Sequence, residues 1–113
     1  LVVDLPPEEV DELLPFLEAN GIHFVFLLAP TSDASRVRKV LRKASGFLYY
    51  VSVTGVTGAA GLDPASVRPA IEALRPQTRL PIGVGFGIAT PEQAAAVADF
   101  ADAAVVGSAI MRV

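Results

Sequence analysis

Five apolar, β-branched or aromatic runs recur along this chain, at Leu1–Leu5, Phe24–Leu28, Phe47–Val53, Pro81–Phe86 and Ala103–Val106. Each is nearly continuous rather than alternating, as a parallel strand covered on both faces would be. Helical patterns fill the intervals. Val37, Val40, Leu41 and Ala44 follow helical spacing behind Ser32 as a cap, and Val67, Ala70, Ile71 and Leu74 repeat it behind Asp63-Pro64 as cap and first helical residue. Thr90-Pro91-Glu92-Gln93 joins a capping box to a proline at the first helical position. The stretch Glu8–Asn20 contains Pro15, so its helix either begins near Glu12 or kinks. Pro69 raises the same question further on.

The strands are expected to start near residues 1, 24, 47, 81 and 103, so one interval is longer than the rest, and its surplus falls in Thr54–Leu62. A βα unit repeated at this length means a parallel sheet with right-handed crossovers. Loops at strand C-termini build the site in such folds, and the opposite rim is mostly structural. Three glycine clusters fall on the functional side: Gly55-Val56-Thr57-Gly58, Gly85-Phe86-Gly87 and Gly107-Ser108. Uncrowded backbone N–H groups there suit a phosphate without help from Lys or Arg.

Composition excludes several classes. The chain is 52% hydrophobic, yet no apolar run approaches the ~18 residues of a spanning helix. A net charge of −3 gives no broad basic field for nucleic acid. With no cysteine, disulfides, thiolate metal sites and cysteine nucleophiles are out, which is compatible with a reducing cytoplasm. No carboxylate–histidine cluster has metal-ligand spacing, and His23, the only histidine, falls at a strand start on the structural side. Arg36, Arg38, Lys39, Arg42 and Lys43 read as a solvated helix face. A start at Leu1 inside a strand-like run, and an end at Met111-Arg112-Val113 as a helix opens, suggest one partial domain over residues 1–113, cut at both ends.

Two architectures fit five strands: a flavodoxin-like open sheet, or part of an eight-stranded (β/α) barrel whose full length is ~250 residues. Barrels commonly hold phosphate between the loops after the last two strands. Glycines end the last two strands here, which favours the partial barrel.

Leu1-Val2-Val3-Asp4-Leu5-Pro6, Leu28-Ala29-Pro30-Thr31-Ser32, Tyr49-Tyr50-Val51-Ser52-Val53-Thr54-Gly55-Val56-Thr57-Gly58, Val84-Gly85-Phe86-Gly87-Ile88 and Val106-Gly107-Ser108-Ala109-Ile110 resemble the tryptophan synthase alpha subunit family, in order and spacing. The Tyr49–Gly58 stretch is the most specific of these. The resemblance implies a partial (β/α)8 TIM barrel, strands four to eight with four intervening helices. It implies aldol-type cleavage of indole-3-glycerol phosphate to indole and glyceraldehyde 3-phosphate in tryptophan biosynthesis. By the same resemblance Gly58, Gly87, Gly107 and Ser108 contact phosphate, Tyr49 and Phe86 line the substrate cavity, and Val3 and Leu27 touch the indole ring. Thr57 sits on a loop that closes over substrate. Asp4 and Pro6 match the family's strand-four motif.

The family's acid–base pair, a glutamate and an aspartate, has no matching position here, so the resemblance implies that this chain alone is inactive. It implies no cofactor in this chain, pyridoxal phosphate only in a partner beta subunit, and a cytoplasmic heterotetramer of two alpha and two beta subunits. Read singly, each glycine cluster is a turn or tight-packing site, Ser108 is a helix N-cap, and strand parity turns one of Tyr49 and Tyr50 inward without saying which. Another phosphate-binding barrel, such as an isomerase or epimerase of a phosphorylated sugar, and a non-catalytic half-barrel scaffold self-associating through its strand edges are the alternatives.

Overall fold

In the computed structural model, residues 1–2, 5–51, 64–85 and 87–112 are described. Four strands form one sheet: β1 (Phe26–Leu28), β2 (Leu48–Val51), β3 (Ile82–Gly85) and β4 (Ala103–Val105). They are parallel, and their order in the sheet is their order in the sequence. A doubly wound sheet reverses its strand order at a switch point and carries helices on both faces. Here the order never reverses, which is the topology of a barrel wall.

The fifth expected run behaves differently. Leu1, Val2 and Leu5 lie outside any strand, and Val3 and Asp4 fall outside the described residues. The other four runs all form strands, shorter than their apolar stretches.

Helices α1 (Leu14–Ala19), α2 (Ala34–Lys43), α3 (Pro64–Leu74), α4 (Pro91–Ala98) and α5 (Ser108–Met111) follow the sheet in turn. A 3₁₀ turn at Val10–Glu12 precedes α1, so Pro15 occupies the first helical turn, where its missing N–H costs nothing. Gly21, at φ +66°, ends α1: the Ile22 amide bonds back to the Leu17 carbonyl at 2.8 Å and the Gly21 amide to Glu18 at 3.1 Å. Pro69 stays inside α3 without ending it. The α4 capping box forms as expected: the Gln93 amide donates to Thr90 Oγ1 at 3.2 Å, and Gln93 Oε1 accepts from the Thr90 amide at 3.1 Å.

The cap of α2 differs from expectation. Asp33, one residue past Ser32, accepts from the Arg36 amide at 2.8 Å. Asp and Ser cap about equally well, so the path of the chain out of β1 decides which of them takes the position. Ser32 Oγ instead accepts from the Ala29 amide at 3.1 Å, closing the turn out of β1.

Burial follows strand parity. Phe26, Leu28, Leu48, Tyr50, Ile82 and Val84 point to the helix side and join Val10, Val40, Val67, Ile71 and Val97 in one core. Leu27, Tyr49 and Val51 on the other face are half-buried, while Ala103 is exposed and Val105 is 36% exposed. The expected cover on both faces is therefore present on one. In a barrel the inward face packs against strands across the axis, and four consecutive strands leave it only partly covered. No helix among the described residues is long and apolar enough to cross a membrane.

The basic face of α2 is also less idle than its sequence suggests. Lys39 pairs with Glu8 at 2.9 Å, while Lys43 pairs with Asp11 at 2.9 Å and donates to the Pro7 carbonyl at 2.6 Å. Two lysines thus tie the N-terminal segment to the helix layer.

Candidate functional site

Parallel strands put every strand C-terminus on one rim, so the loops after β3 and β4 emerge together. Gly85 is in register with Val105, and Gly87 and Gly107 each come two residues later, on the loops that leave these adjacent strands. Gly87 has φ +78°, a left-handed turn that glycine adopts without penalty. Gly107 is the N-cap of α5, with φ −113°, and nothing stands within 4 Å of where a Cβ would go. The fold does not demand glycine there. Its lack of a side chain keeps the rim open.

Ser108 is the first residue of α5, not its cap. The first amide to bond within the turn is Ile110, to Gly107 at 3.0 Å. The Ser108 and Ala109 amides precede it, the usual orphan donors of a helix start.

Tyr49 is the inward tyrosine. Leu27 pairs with Tyr49 and Tyr49 with Gly83, so all three share the inward face. Tyr50 lies in the core, 5% exposed. Phe47 and Tyr49 lie across the two glycines of β3: a Cβ at Gly83 would stand 3.7 Å from Phe47 Cδ2, and one at Gly85 would meet the Tyr49 hydroxyl, with Cζ 2.7 Å away. The Tyr49 ring thus leans from the level of Gly83 toward the glycine rim. Burial raises its phenol pKa, so it is protonated at neutral pH.

Of the residues expected in the site, Leu27, Tyr49, Gly87, Gly107 and Ser108 belong to one face and one rim. Val3, Thr57, Gly58 and Phe86 lie outside the described residues, as does the Gly55–Gly58 cluster. His23 is exposed ahead of β1. Among the described residues no group of acids and histidines could hold a metal ion.

Sequence reasoning missed one organising carboxylate, at the opposite rim. Asp102 Oδ2 accepts from the Ile82 amide at 2.8 Å and from Arg75 at 2.7 Å. Those donors, the backbone amide foremost, hold its pKa below the ordinary range. Arg75 also donates to the Phe100 carbonyl at 2.7 Å, so the pair clamps the base of β3 and β4 to the end of α3. The available signal was an acid immediately before an apolar strand.

Sequentially ordered parallel strands, helices on one face and glycine turns at the C-terminal rim define part of a (β/α)8 barrel, a fold whose active sites are built at that rim. The chain belongs to the tryptophan synthase alpha chain family, a family of lyases, whose model matches residues 1–113. It is 59% identical over 111 residues to the tryptophan synthase alpha chain of Caulobacter vibrioides, covering 98% of this chain and 40% of that one. The alpha subunit structure from Legionella pneumophila superposes with a TM-score of 0.82 at 39% identity, over 98% of this chain and 40% of that one. A Pyrococcus furiosus structure described as a tryptophan synthase a2b2 complex gives 0.82 at 32% identity, over 98% of this chain and 45% of that one. The chain thus spans about 40% of the length of such relatives.

Proposed function

We propose that the protein cleaves indole-3-glycerol phosphate to indole and glyceraldehyde 3-phosphate, and that residues 1–113 supply its phosphate- and indole-binding part. The observation that carries this reading is the inward row of Leu27 and Tyr49, with the tyrosine leaning toward the rim from which the loops carrying Gly87 and Gly107 leave adjacent strands. In this reading Leu27 touches the indole ring, Tyr49 lines the cavity, and Gly87, Gly107 and Ser108 receive phosphate. Val3, Thr57, Gly58 and Phe86 enter on the family resemblance alone.

Cleavage needs a proton donor at the indole ring and a base for the glycerol hydroxyl. Among the described residues the inward strand positions are Leu27, Tyr49, Val51, Gly83, Gly85, Ala103 and Val105, none a carboxylate, histidine or lysine. The acid–base pair belongs to another part of the protein, and residues 1–113 alone do not turn over. The partner is a beta subunit, which holds the pyridoxal phosphate and receives indole, in the cytoplasm.

The test is release of indole from indole-3-glycerol phosphate by the full-length protein, with residues 1–113 alone assayed beside it. Indole from the first and none from the second is expected. Turnover of a phosphorylated sugar without indole release from the full-length protein would replace this reading with the isomerase alternative.

A further inference from the structure

We propose that the groove between α2 and α3, on the sheet face opposite Tyr49, is a second ligand site, for a small organic carboxylate with an aromatic or branched apolar body. This does not rest on the lyase reading. The groove encloses about 290 Å³, near the lower end of small-molecule pockets. Leu28 and Tyr50 floor it, and Val37 from α2 and Leu74 from α3 wall it.

Tyr50 is the reason to assign it a ligand. The residue is 5% exposed, and its hydroxyl has no hydrogen-bond partner among the described residues. Every fully enclosed side-chain nitrogen or oxygen among those residues is satisfied. The Tyr50 hydroxyl, having no partner, is therefore not fully enclosed, and Tyr50 lines the groove. A hydroxyl stripped of most of its water and given no protein partner favours an incoming acceptor. Burial keeps this phenol protonated at neutral pH, so it can donate.

The remaining polar groups fix the sign of the ligand. Arg38 lines the groove and has no carboxylate partner among the described residues. Ser32 Oγ already accepts from the Ala29 amide, which leaves its own proton to give. The Gln77 amide nitrogen is turned onto the Ala73 carbonyl. Among the described residues that line the groove, Arg38 is the one charged group, so the ligand presents an anionic acceptor. The apolar walls demand an apolar body behind it, which inorganic phosphate lacks.

The experiment titrates the full-length protein with phenylacetate, read by calorimetry and by carbon NMR of Cζ-labelled tyrosines, with Tyr50 assigned through Tyr50→Phe. Saturable binding is expected, with the shift at Tyr50, unaffected by glycerol 3-phosphate. Tyr50→Phe and Arg38→Gln should each weaken it about tenfold while leaving Tm in place. Phenethylamine and inorganic phosphate should leave the Tyr50 signal unmoved. Absence of phenylacetate binding, equal binding by both variants, or a shift at Tyr49 relieved by glycerol 3-phosphate would each overturn the proposal.

Discussion

The Tyr49 hydroxyl occupies the space in which a side chain at Gly85 would begin. Tyr49 pairs in register with Gly83, so its ring crosses two residues of the neighbouring strand to reach that point. One glycine thereby sets the direction of one aromatic side chain at the C-terminal rim of the sheet.

The consequence is asymmetric. Gly85→Ala places a methyl group on the hydroxyl and 2.7 Å from Cζ, so the ring must swing away or the strands must part. Overpacking of this kind costs about 1–3 kcal/mol. Urea unfolding of the full-length protein should show that loss. Combining it with Tyr49→Phe should restore little, because Cζ still clashes, whereas Tyr49→Val should restore most of it. Equal rescue by both would mean that the hydroxyl alone, not the ring, fills the space.

Gly87 and Gly107 differ in why they are glycine, and substitution separates the reasons. Gly87→Ala forces a side chain into φ +78° and should cost about 1 kcal/mol of stability before any ligand is considered. Gly107→Ala meets nothing within 4 Å, so the melting temperature should hold. If the open rim serves phosphate, binding of glycerol 3-phosphate to Gly107→Ala should weaken about tenfold or more. Unchanged affinity, measured by calorimetry, would leave Gly107 without a role in the site.

Much of this was legible in the sequence for one physical reason: strand and helix periods are local. The apolar runs at residues 24, 47, 81 and 103, the Thr90–Gln93 box and the rim glycines all follow from nearest-neighbour patterns. What escaped was set by distant pairings. Nothing near Asp102 announces that it meets Ile82 and Arg75, nor does anything near Lys43 name Asp11 as its partner. The choice between Tyr49 and Tyr50 needed the helix layer, because adjacent aromatics give parity without a direction. Asp33 and Ser32 were a narrower miss, since both are good caps and only the chain's exit from β1 decides between them.

Asp102 gives the fold a pH dependence. Its folded pKa lies below the unfolded value, so its contribution is present above about pH 4 and lost as pH falls through the folded value. Because its side chain is 40% exposed, Asp102→Asn should cost only about 1 kcal/mol at neutral pH. Urea midpoints of the two proteins should converge as pH drops below 4. A gap that stays constant into acid would mean that shape, not charge, carries the clamp.

The two lysines of α2 make chemically similar pairs of unequal worth. Lys39 and Glu8 are 45% and 56% exposed, so solvent screens the pair and it adds little. Lys43 is 22% exposed and adds a 2.6 Å bond to the Pro7 carbonyl, an acceptor on a fully buried residue. Removing that donor strands the carbonyl as well as Asp11. Lys43→Met should therefore cost about 1–2 kcal/mol, and Lys39→Met far less. Hydrogen exchange over residues 8–13 should quicken in Lys43→Met and stay near wild type in Lys39→Met. Glu8, whose pKa the Lys39 hydrogen bond lowers, should return toward the ordinary carboxylate range in Lys39→Met with little change in unfolding midpoint. If both substitutions cost the same, the N-terminal segment is held by charge alone and the Pro7 bond adds nothing.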